Sequence, residues 1–541
     1  MIGAKKILIL ACSFIFLLMP FSESRVYGQS IYGIYPFEED FLSGTRPAGV
    51  ILPTPSGYIT YNSARFTSNG LQLTPDTLDR FGAVYLNDHK FQSENGILIE
   101  FEYMFYGGDG GDGLSVFFFD ASVDPGIGAS GAGIGYAYNR TIDQYSQYRV
   151  PGLNGAYMGV AFDSFGNFKA MRFQGESRVN GIPFGYAVSG SMGGENNKIN
   201  NVTIRGARRP LPVRRNYNET GDIVNGLGLG YCGYPVLVSQ YTEENMGFRL
   251  VNSTTPNYER YDQLKAKQGF SIRGGTTFNS PEDAGYRKAF IEMYPNGDDG
   301  FLVTVLIQHG NVKDTVIYDY NYRKEFDYYE NALPEPDSYS RVGDDNISEI
   351  PRFTPVRRQL IATIPDELKI GFAAATGTGI LGRKDKHFLK NVRVSLPRAA
   401  EAYNDSVEVY EGTAVTINPL ENDIGYEGEV RRIQEGHMRH LDETTFRFVD
   451  PEGNTYTNEY EVEGVGVWRY ANGVVTFSPR GRYVGVVQVE YDILGGKTTP
   501  VPYSDEAYRS LHALLYINYL ENPMQPRNMI TNKMVTPVLK R

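Results

Sequence analysis

The sequence predicts an all-β protein built mainly from short antiparallel strands. From Ile31 to Pro397, apolar runs alternate with turn signals, and no convincing helical period interrupts them. The 40 Tyr and 30 Phe residues favour sheets, and charged residues make up only 21%. Because this alternation gives a strand one apolar face, we expect two sheets packed as a β-sandwich.

Several segments carry the strand pattern clearly. Residues 96–105 alternate well, and residues 389–396 close the region with strict alternation. Residues 287–294 and 301–308 flank Pro295–Gly300, where Asn, Gly and Asp predict a hairpin turn.

The amino terminus has the features of a secretory signal peptide over residues 1–29. Two lysines precede an apolar run from Ile7 to Phe21, which favours export over a retained membrane span. Cys12 lies inside that run, so a lipoprotein signal is the less favoured alternative. We therefore expect a secreted or cell-surface protein.

Composition also excludes some partners and cross-links. The formal net charge of −11 argues against nucleic acid as a partner. Cleavage of the signal would leave Cys232 as the remaining cysteine, which excludes an intramolecular disulfide. Oligomeric state is not encoded in these features.

Tyr157–Phe168 brings polar groups to the end of a strand. Alternate residues of an extended segment point the same way, so Asp163 and Asn167 can converge with the Phe165 carbonyl between them. Three such oxygens suit calcium. The same residues are also typical of an ordinary turn after a strand.

A glycine-rich loop, Gly107–Gly113, leads directly into the apolar run Leu114–Phe119. Such a loop lets the backbone approach a ligand closely and can hold Asp112 in a strained conformation. The loop and the Tyr157–Phe168 stretch together indicate a binding site.

Four segments resemble motifs of the legume-type (L-type) lectins, in the order of that family. They are Asp112–Phe119, Gly131–Gly135, Val160–Asn167 and Ile370–Gly377. The resemblance implies a concanavalin-like jelly-roll sandwich over residues 31–397 and a carbohydrate-binding function. The residues that it places at the sugar site are Asp112, Gly131, Ala132, Asn167, Thr378 and Gly379.

The same resemblance implies a metal site formed by Asp163, Phe165 and Asn167, but the chain departs from the family there. Ala161 stands where the family has a Glu, and Ala170 stands where it has an Asp. We therefore expect no transition metal and at most weak calcium binding, since calcium needs 6–8 oxygens. Waters or Glu176 would have to complete the shell.

The sandwich is longer than a plain lectin domain, and two stretches look like insertions, near 205–270 and 323–358. Residues 400–496 resemble bacterial Ig-like or cadherin-like modules, which implies a small second β-sandwich on a surface protein. Residues 497–541 form a tail, where Ser504 is suited to cap a helix.

Two other functions compete with sugar binding. Glu325–Glu330 is similar to the paired-carboxylate strand of glycoside hydrolases on this fold. It runs into a polar loop, and an acidic run is more often solvated, so we predict that the protein is not an enzyme. The sandwich could instead be a structural or protein-binding surface module without sugar affinity.

Overall fold

The computed structural model describes residues 36–56, 59–138, 150–169, 199–209, 233–244, 247–251, 257–260, 269–331, 355–378, 382–423, 425, 441–495 and 509–523. The predicted signal peptide and Cys232 lie outside this part of the chain. Within it, no helix is long and apolar enough to cross a membrane.

The described residues are all-β, as predicted. Short 3-10 turns occur at Gly131–Gly133 and Pro419–Glu421. The strands are β1 (Phe37–Glu39), β2 (Val50–Ile51), β3 (Arg65–Thr67), β4 (Gly70–Thr74), β5 (Phe81–Leu86), β6 (Phe91–Gln92), β7 (Ile97–Tyr106), β8 (Gly113–Asp120), β9 (Ala156–Asp163), β10 (Asn201–Arg205), β11 (Val236–Tyr241), β12 (Gly247–Val251), β13 (Asn257–Arg260), β14 (Arg287–Pro295), β15 (Phe301–His309), β16 (Val312–Tyr322), β17 (Glu325–Asn331), β18 (Pro355–Ile361), β19 (Glu367–Ala375), β20 (Lys386–Ser395), β21 (Asp405–Tyr410), β22 (Val415–Ile417), β23 (Leu441–Val449), β24 (Thr455–Tyr456), β25 (Glu459–Val462), β26 (Gly466–Ala471), β27 (Val474–Pro479), β28 (Gly485–Gly495) and β29 (Ala513–Leu520).

Two large antiparallel sheets form the sandwich. The back sheet has the order β16-β15-β14-β7-β20-β4-β3, and β1 also pairs with β20. The front sheet has the order β13-β12-β11-β10-β9-β8-β19-β5-β2, and β6 also pairs with β19. The chain passes repeatedly from one sheet to the other, which is the winding of a jelly roll. The predicted hairpin is β14 and β15, joined at Pro295 and Phe301.

Apolar side chains from the two sheets fill the space between them. Alternate residues of β7 from Ile97 to Phe105 point inward, as the sequence pattern predicted. Phe101 packs edge-on against Phe162 of β9 and Phe372 of β19, with ring centroids 5.8 and 5.5 Å apart. A buried phenylalanine stabilises the fold by about 1.5–3 kcal/mol, so this layer holds the sheets together.

A second apolar layer covers the outer face of the front sheet. Phe117, Phe119, Ala161 and Ala373 belong to it, together with loop residues from Ile127 to Tyr138. This second layer explains why β8 and β9 are apolar at nearly every position instead of alternating. The site described below lies at the edge of this layer.

The two predicted insertions contribute strands where the structure describes them. Strands β11, β12 and β13 extend the front sheet beyond β10. Strands β17 and β18 pair as a separate two-stranded sheet. These parts are therefore built onto the sandwich rather than being plain loops.

Residues 405–520 form a second unit with its own apolar core. A five-stranded sheet has the order β21-β29-β28-β23-β24, and a four-stranded sheet has the order β22-β27-β26-β25. Trp468, the single Trp of the chain, is fully buried in their shared core. Strand β29 falls in the range assigned to a tail, where a helix was expected after Ser504. That expectation is wrong for Ala513–Leu520, a strand between β21 and β28 in which buried side chains alternate with partly exposed ones.

The junction between the two units begins at a buried ion pair. Arg398 donates to the Glu292 carboxylate of β14 at 3.0 and 2.9 Å, and its guanidinium lies 3.9 Å from the centre of the Tyr294 ring. Ala399 packs on the sandwich core and Ala400 on the core of the second unit. The chain is therefore fixed on both sides of the predicted boundary.

Two carboxyls inside the second unit make its stability depend on pH. Burial raises the pKa of Asp423 to about 7 and that of Asp405 to about 6, although the Tyr491 hydroxyl opposes both shifts. Because the folded state binds these protons more tightly than the unfolded chain, the unit loses stability as pH rises from about 4 to about 7.

We predict that Asp423→Asn stabilises this unit at pH 8 by on the order of 1 kcal/mol relative to wild type, and much less at pH 5. Urea unfolding followed by fluorescence of Trp468 reports this unit alone. Glu443→Gln, at an exposed position on β23, is the matched control. Equal effects of Asp423→Asn at both pH values would contradict the prediction.

Candidate functional site

Three strand ends meet at one row of the front sheet. In the register of the sheet, Gly113 of β8 pairs with Asp163 of β9 on one side and with Ala375 of β19 on the other. The loops that precede β8 and follow β9 and β19 therefore converge at the same sheet edge. Three of the four motif segments are brought together in this way.

Asp112 is held in place through its main chain. Its N–H donates to the Ala375 carbonyl at 2.7 Å, and its carbonyl accepts from the Phe165 N–H and the Ser164 hydroxyl, each at 3.0 Å. A Cβ on the preceding Gly111 would lie 2.3 Å from the Arg383 carbonyl oxygen. Only glycine fits there, so this glycine serves close packing against the protein's own backbone, whereas the sequence predicted close approach to a ligand.

The side chain of Asp112 is 3% exposed and lies against Asn167. The pKa of Asp112 is raised to about 7, chiefly by burial and also by the nearby charge of Asp163, against a hydrogen bond from the Asn167 amide that lowers it. Among the described residues, neither Oδ2 of Asp112 nor Oδ1 of Asn167 has a hydrogen-bond partner. The site therefore contains two buried acceptor oxygens, on two residues that are hydrogen-bonded to each other.

The Asn167 amide has both donors and an acceptor. One of its two N–H groups donates to Asp112. The atom that is left without a partner is the acceptor Oδ1.

The Gly131–Gly133 turn faces Asp112. A Cβ on Gly131 would lie 3.9 Å from Oδ2 of Asp112, and the residue has a φ of 60°, which favours glycine. The Ser115 hydroxyl of β8 donates to the Ile134 carbonyl at 2.5 Å and fixes the turn to the sheet. Ala132 lies in the same turn and is partly buried.

Among the described residues, the loop after β19 forms the remaining border of the site. Thr376 is buried, and its hydroxyl donates to the Thr77 carbonyl at 2.8 Å and accepts from the Arg80 N–H at 2.9 Å. Thr378 is exposed two residues further on. Gly379 lies outside the described residues.

The predicted metal ligands are arranged differently from a calcium site. Oδ1 of Asp163 accepts the N–H groups of Phe165 and Gly166 at 3.2 and 2.6 Å, and Oδ2 accepts that of Phe168 at 2.6 Å. Backbone donors thus surround the carboxylate that a calcium ion would need. Burial raises the pKa of Asp163, while Lys169 and these N–H groups lower it. Asp163, Phe165 and Asn167 do not fit the predicted calcium site.

The surroundings of Ala161 are equally unlike a metal centre. Ala161 is fully buried in the apolar layer over the front sheet. Within the described chain, no group of three or more His, Cys, Asp or Glu residues is placed to share a metal ion. Glu176, named as a possible additional ligand, lies outside the described residues.

Sequence reasoning missed two buried cations beside this loop, Lys169 and Arg205, which are 1% and 0% exposed. Burial lowers the pKa of Lys169 to about 7, and Asp163 opposes that shift. A lysine in a loop and an arginine at a strand end ordinarily indicate solvent-exposed positions. Only the tertiary packing shows that both face inward.

The acidic segment Glu325–Glu330 forms β17 and not the solvated loop that the sequence predicted. Phe326 and Tyr328 are buried in the main core, and Asp327 forms an ion pair with Arg357 of β18. Glu325 is exposed on the same strand.

Comparisons with known proteins yield structural similarities alone. No protein-family model and no curated protein matches the sequence. The match to lectin I-B4 from Griffonia simplicifolia, in its metal-free form, spans 66% of this chain and 98% of the lectin, at 12% identity and a TM-score of 0.29. The match to lectin II from Ulex europaeus spans 66% of this chain and 97% of the lectin, at 11% identity and a TM-score of 0.28. The Ca2+/Man-bound VIP36 exoplasmic/lumenal domain covers 66% and 85% at 10% identity, TM-score 0.28. We base no assignment on similarities this low, and the fold follows from the sheet order and register above.

The close packing of the Asp112 loop gives a stability prediction. Gly111→Ala should lower the melting temperature of the sandwich by roughly 4–8 °C in calorimetry, because the new Cβ meets backbone atoms. Gly126→Ala is the control, since no atom lies within 4 Å of the added Cβ and its φ of 56° leaves backbone strain as the expected cost. Equal losses for both variants would show that the Gly111 contact is unimportant.

Proposed function

We propose that the protein binds carbohydrate at the site formed by Asp112, Asn167 and the Gly131 turn. The observation that carries this proposal is the pair of buried oxygens without partners, Oδ2 of Asp112 and Oδ1 of Asn167. Buried polar groups are normally hydrogen-bonded, so a ligand that donates two hydrogen bonds would satisfy both. Adjacent hydroxyls of a sugar ring have this chemistry.

The rest of the site supports the proposal. Phe165 lies between Asp163 and Asn167 in the sequence, is 8% exposed, and has its ring centre 5.9 Å from the Arg383 guanidinium. Gly131 keeps the facing turn free of side chain, so a ligand can approach Asp112 closely. A few polar groups beside an apolar surface are typical of small-ligand sites.

We further propose that the protein acts outside the cell or at its surface, in adhesion or glycan capture. The apolar segment within residues 1–29 supports export. The second β-unit at residues 405–520 supports a surface protein, because the residues near 400–496 resemble Ig-like modules. Detection of the mature chain in the culture medium or on intact cells would test this.

One enzymatic alternative has a specific candidate site, the carboxylates of β17. Hydrolysis of glycosides needs two carboxyls that flank the scissile bond. Asp327 is already paired with Arg357. Release of reducing sugar from a polysaccharide panel would favour this alternative, and we expect none.

We predict that Asp112→Ala lowers glycan affinity by about 30- to 1000-fold, since it removes a buried charged acceptor of hydroxyl donors. A glycan array with the labelled full chain should first identify a ligand, and calorimetry should then measure both proteins. Unfolding curves should show that the variant remains folded.

The matched control is Asp120→Ala at the opposite end of the same strand, where the carboxylate accepts from Ser122. It should bind glycan like wild type. Unchanged affinity of Asp112→Ala would refute the proposed site. A folded wild-type chain that binds no glycan would favour the structural or protein-binding module.

A further inference from the structure

The loop Asp163–Lys169 is tightly folded around its first residue. The carboxylate of Asp163 is fully buried and receives three N–H donors from its own loop, those of Phe165, Gly166 and Phe168. Three backbone donors orient the carboxylate but do not neutralise its charge. A buried carboxylate requires a compensating cation nearby.

Lys169 is the last described residue of this loop, and its side chain turns back under it. The ammonium donates to the Gly166 carbonyl at 3.0 Å, and it lies 5.0 Å from the centre of the buried Tyr241 ring. The charge of Lys169 also lowers the pKa of the Asp163 carboxyl. The ammonium therefore lies under the loop, bonded to one of its carbonyl oxygens and close enough to Asp163 for their charges to interact.

Arg205 holds the loop from its other side. Its guanidinium donates twice to the Phe168 carbonyl, at 2.9 and 2.8 Å, and once to the Tyr234 carbonyl at 2.5 Å. It is fully buried and lies 5.3 Å from the centre of the Phe168 ring. Two loop carbonyls are thus bound by cations that belong to the chain itself.

We propose that Lys169, assisted by Arg205, takes the structural place that a divalent cation would have beside Asp163. Backbone N–H groups bind the Asp163 carboxylate, and the ammonium and the guanidinium bind two neighbouring carbonyls of the same loop, those of Gly166 and Phe168. The loop that presents Asn167 is then ordered without metal. On the proposed carbohydrate function, it follows that glycan binding is independent of calcium.

The test uses the full chain and the variant Lys169→Met, which keeps the length of the side chain and removes its charge. The melting temperature of wild type should not change with millimolar calcium or with EDTA. Lys169→Met should lower it by at least about 5 °C, because Asp163 is left without its cation. Hydrogen exchange of the peptide 160–169 should become faster in the variant.

A second variant, in which Asp163 loses its charge, distinguishes the charge interaction between Asp163 and Lys169 from side-chain packing. Asp163→Asn combined with Lys169→Met should lose clearly less than the sum of the two single variants. Lys390→Met is the control, since Lys390 also lies over an aromatic ring, at 4.8 Å from that of Phe278, and beside Glu102. It should leave exchange of peptide 160–169 unchanged.

Stabilisation of wild type by calcium, or exchange in Lys169→Met as slow as in wild type, would overturn this inference. Both measurements are made without glycan. A chain that bound no glycan would therefore overturn the proposed function and leave the role of Lys169 intact. Calcium-dependent glycan binding would overturn the role of Lys169 and leave the proposed carbohydrate function intact.

Discussion

Two buried carboxylates lie next to each other at one edge of the front sheet. Asp112 directly precedes β8 and Asp163 ends β9, and the site depends on both positions. Burial raises the pKa of both carboxyls, and the charge of Asp163 raises the pKa of Asp112 as well. The main chain links them, because the Asp112 carbonyl accepts the Phe165 N–H of the Asp163 loop. Movement of one carboxylate therefore moves the other.

The sandwich places this pair by strand register. Gly113 lies between Asp163 and Ala375, so a shift of one residue in either neighbouring strand would separate the loops and expose apolar side chains. The buried rings of Phe101, Phe162 and Phe372 make such a shift costly. Core packing thus sets the geometry of the site, although no core residue belongs to it.

Much of the fold and part of the site could be predicted from the sequence, because both depend on local pattern. Alternation identified β7, β14, β15 and β20, and motif order identified the loops of Asp112, Gly131 and Asn167. The strand β29 was missed because the tail before it offered a helix cap and its pairing partners are distant in sequence. Lys169 and Arg205 were missed for a different reason: burial of a cation depends on the whole fold and leaves no local signal.

The two carboxylates differ in their hydrogen-bond partners, and this difference leaves one of them available to a ligand. Asp163 has both oxygens occupied by backbone donors and serves the loop. Asp112 keeps Oδ2 without a partner and, with Oδ1 of Asn167, provides the acceptors. An unpaired buried acceptor costs about 1–3 kcal/mol, and only a ligand with matching donors removes that cost. On the proposed carbohydrate function, a ligand that lacks one of the two hydroxyls leaves an acceptor unpaired, so the same two oxygens would also select against deoxy forms of the sugar.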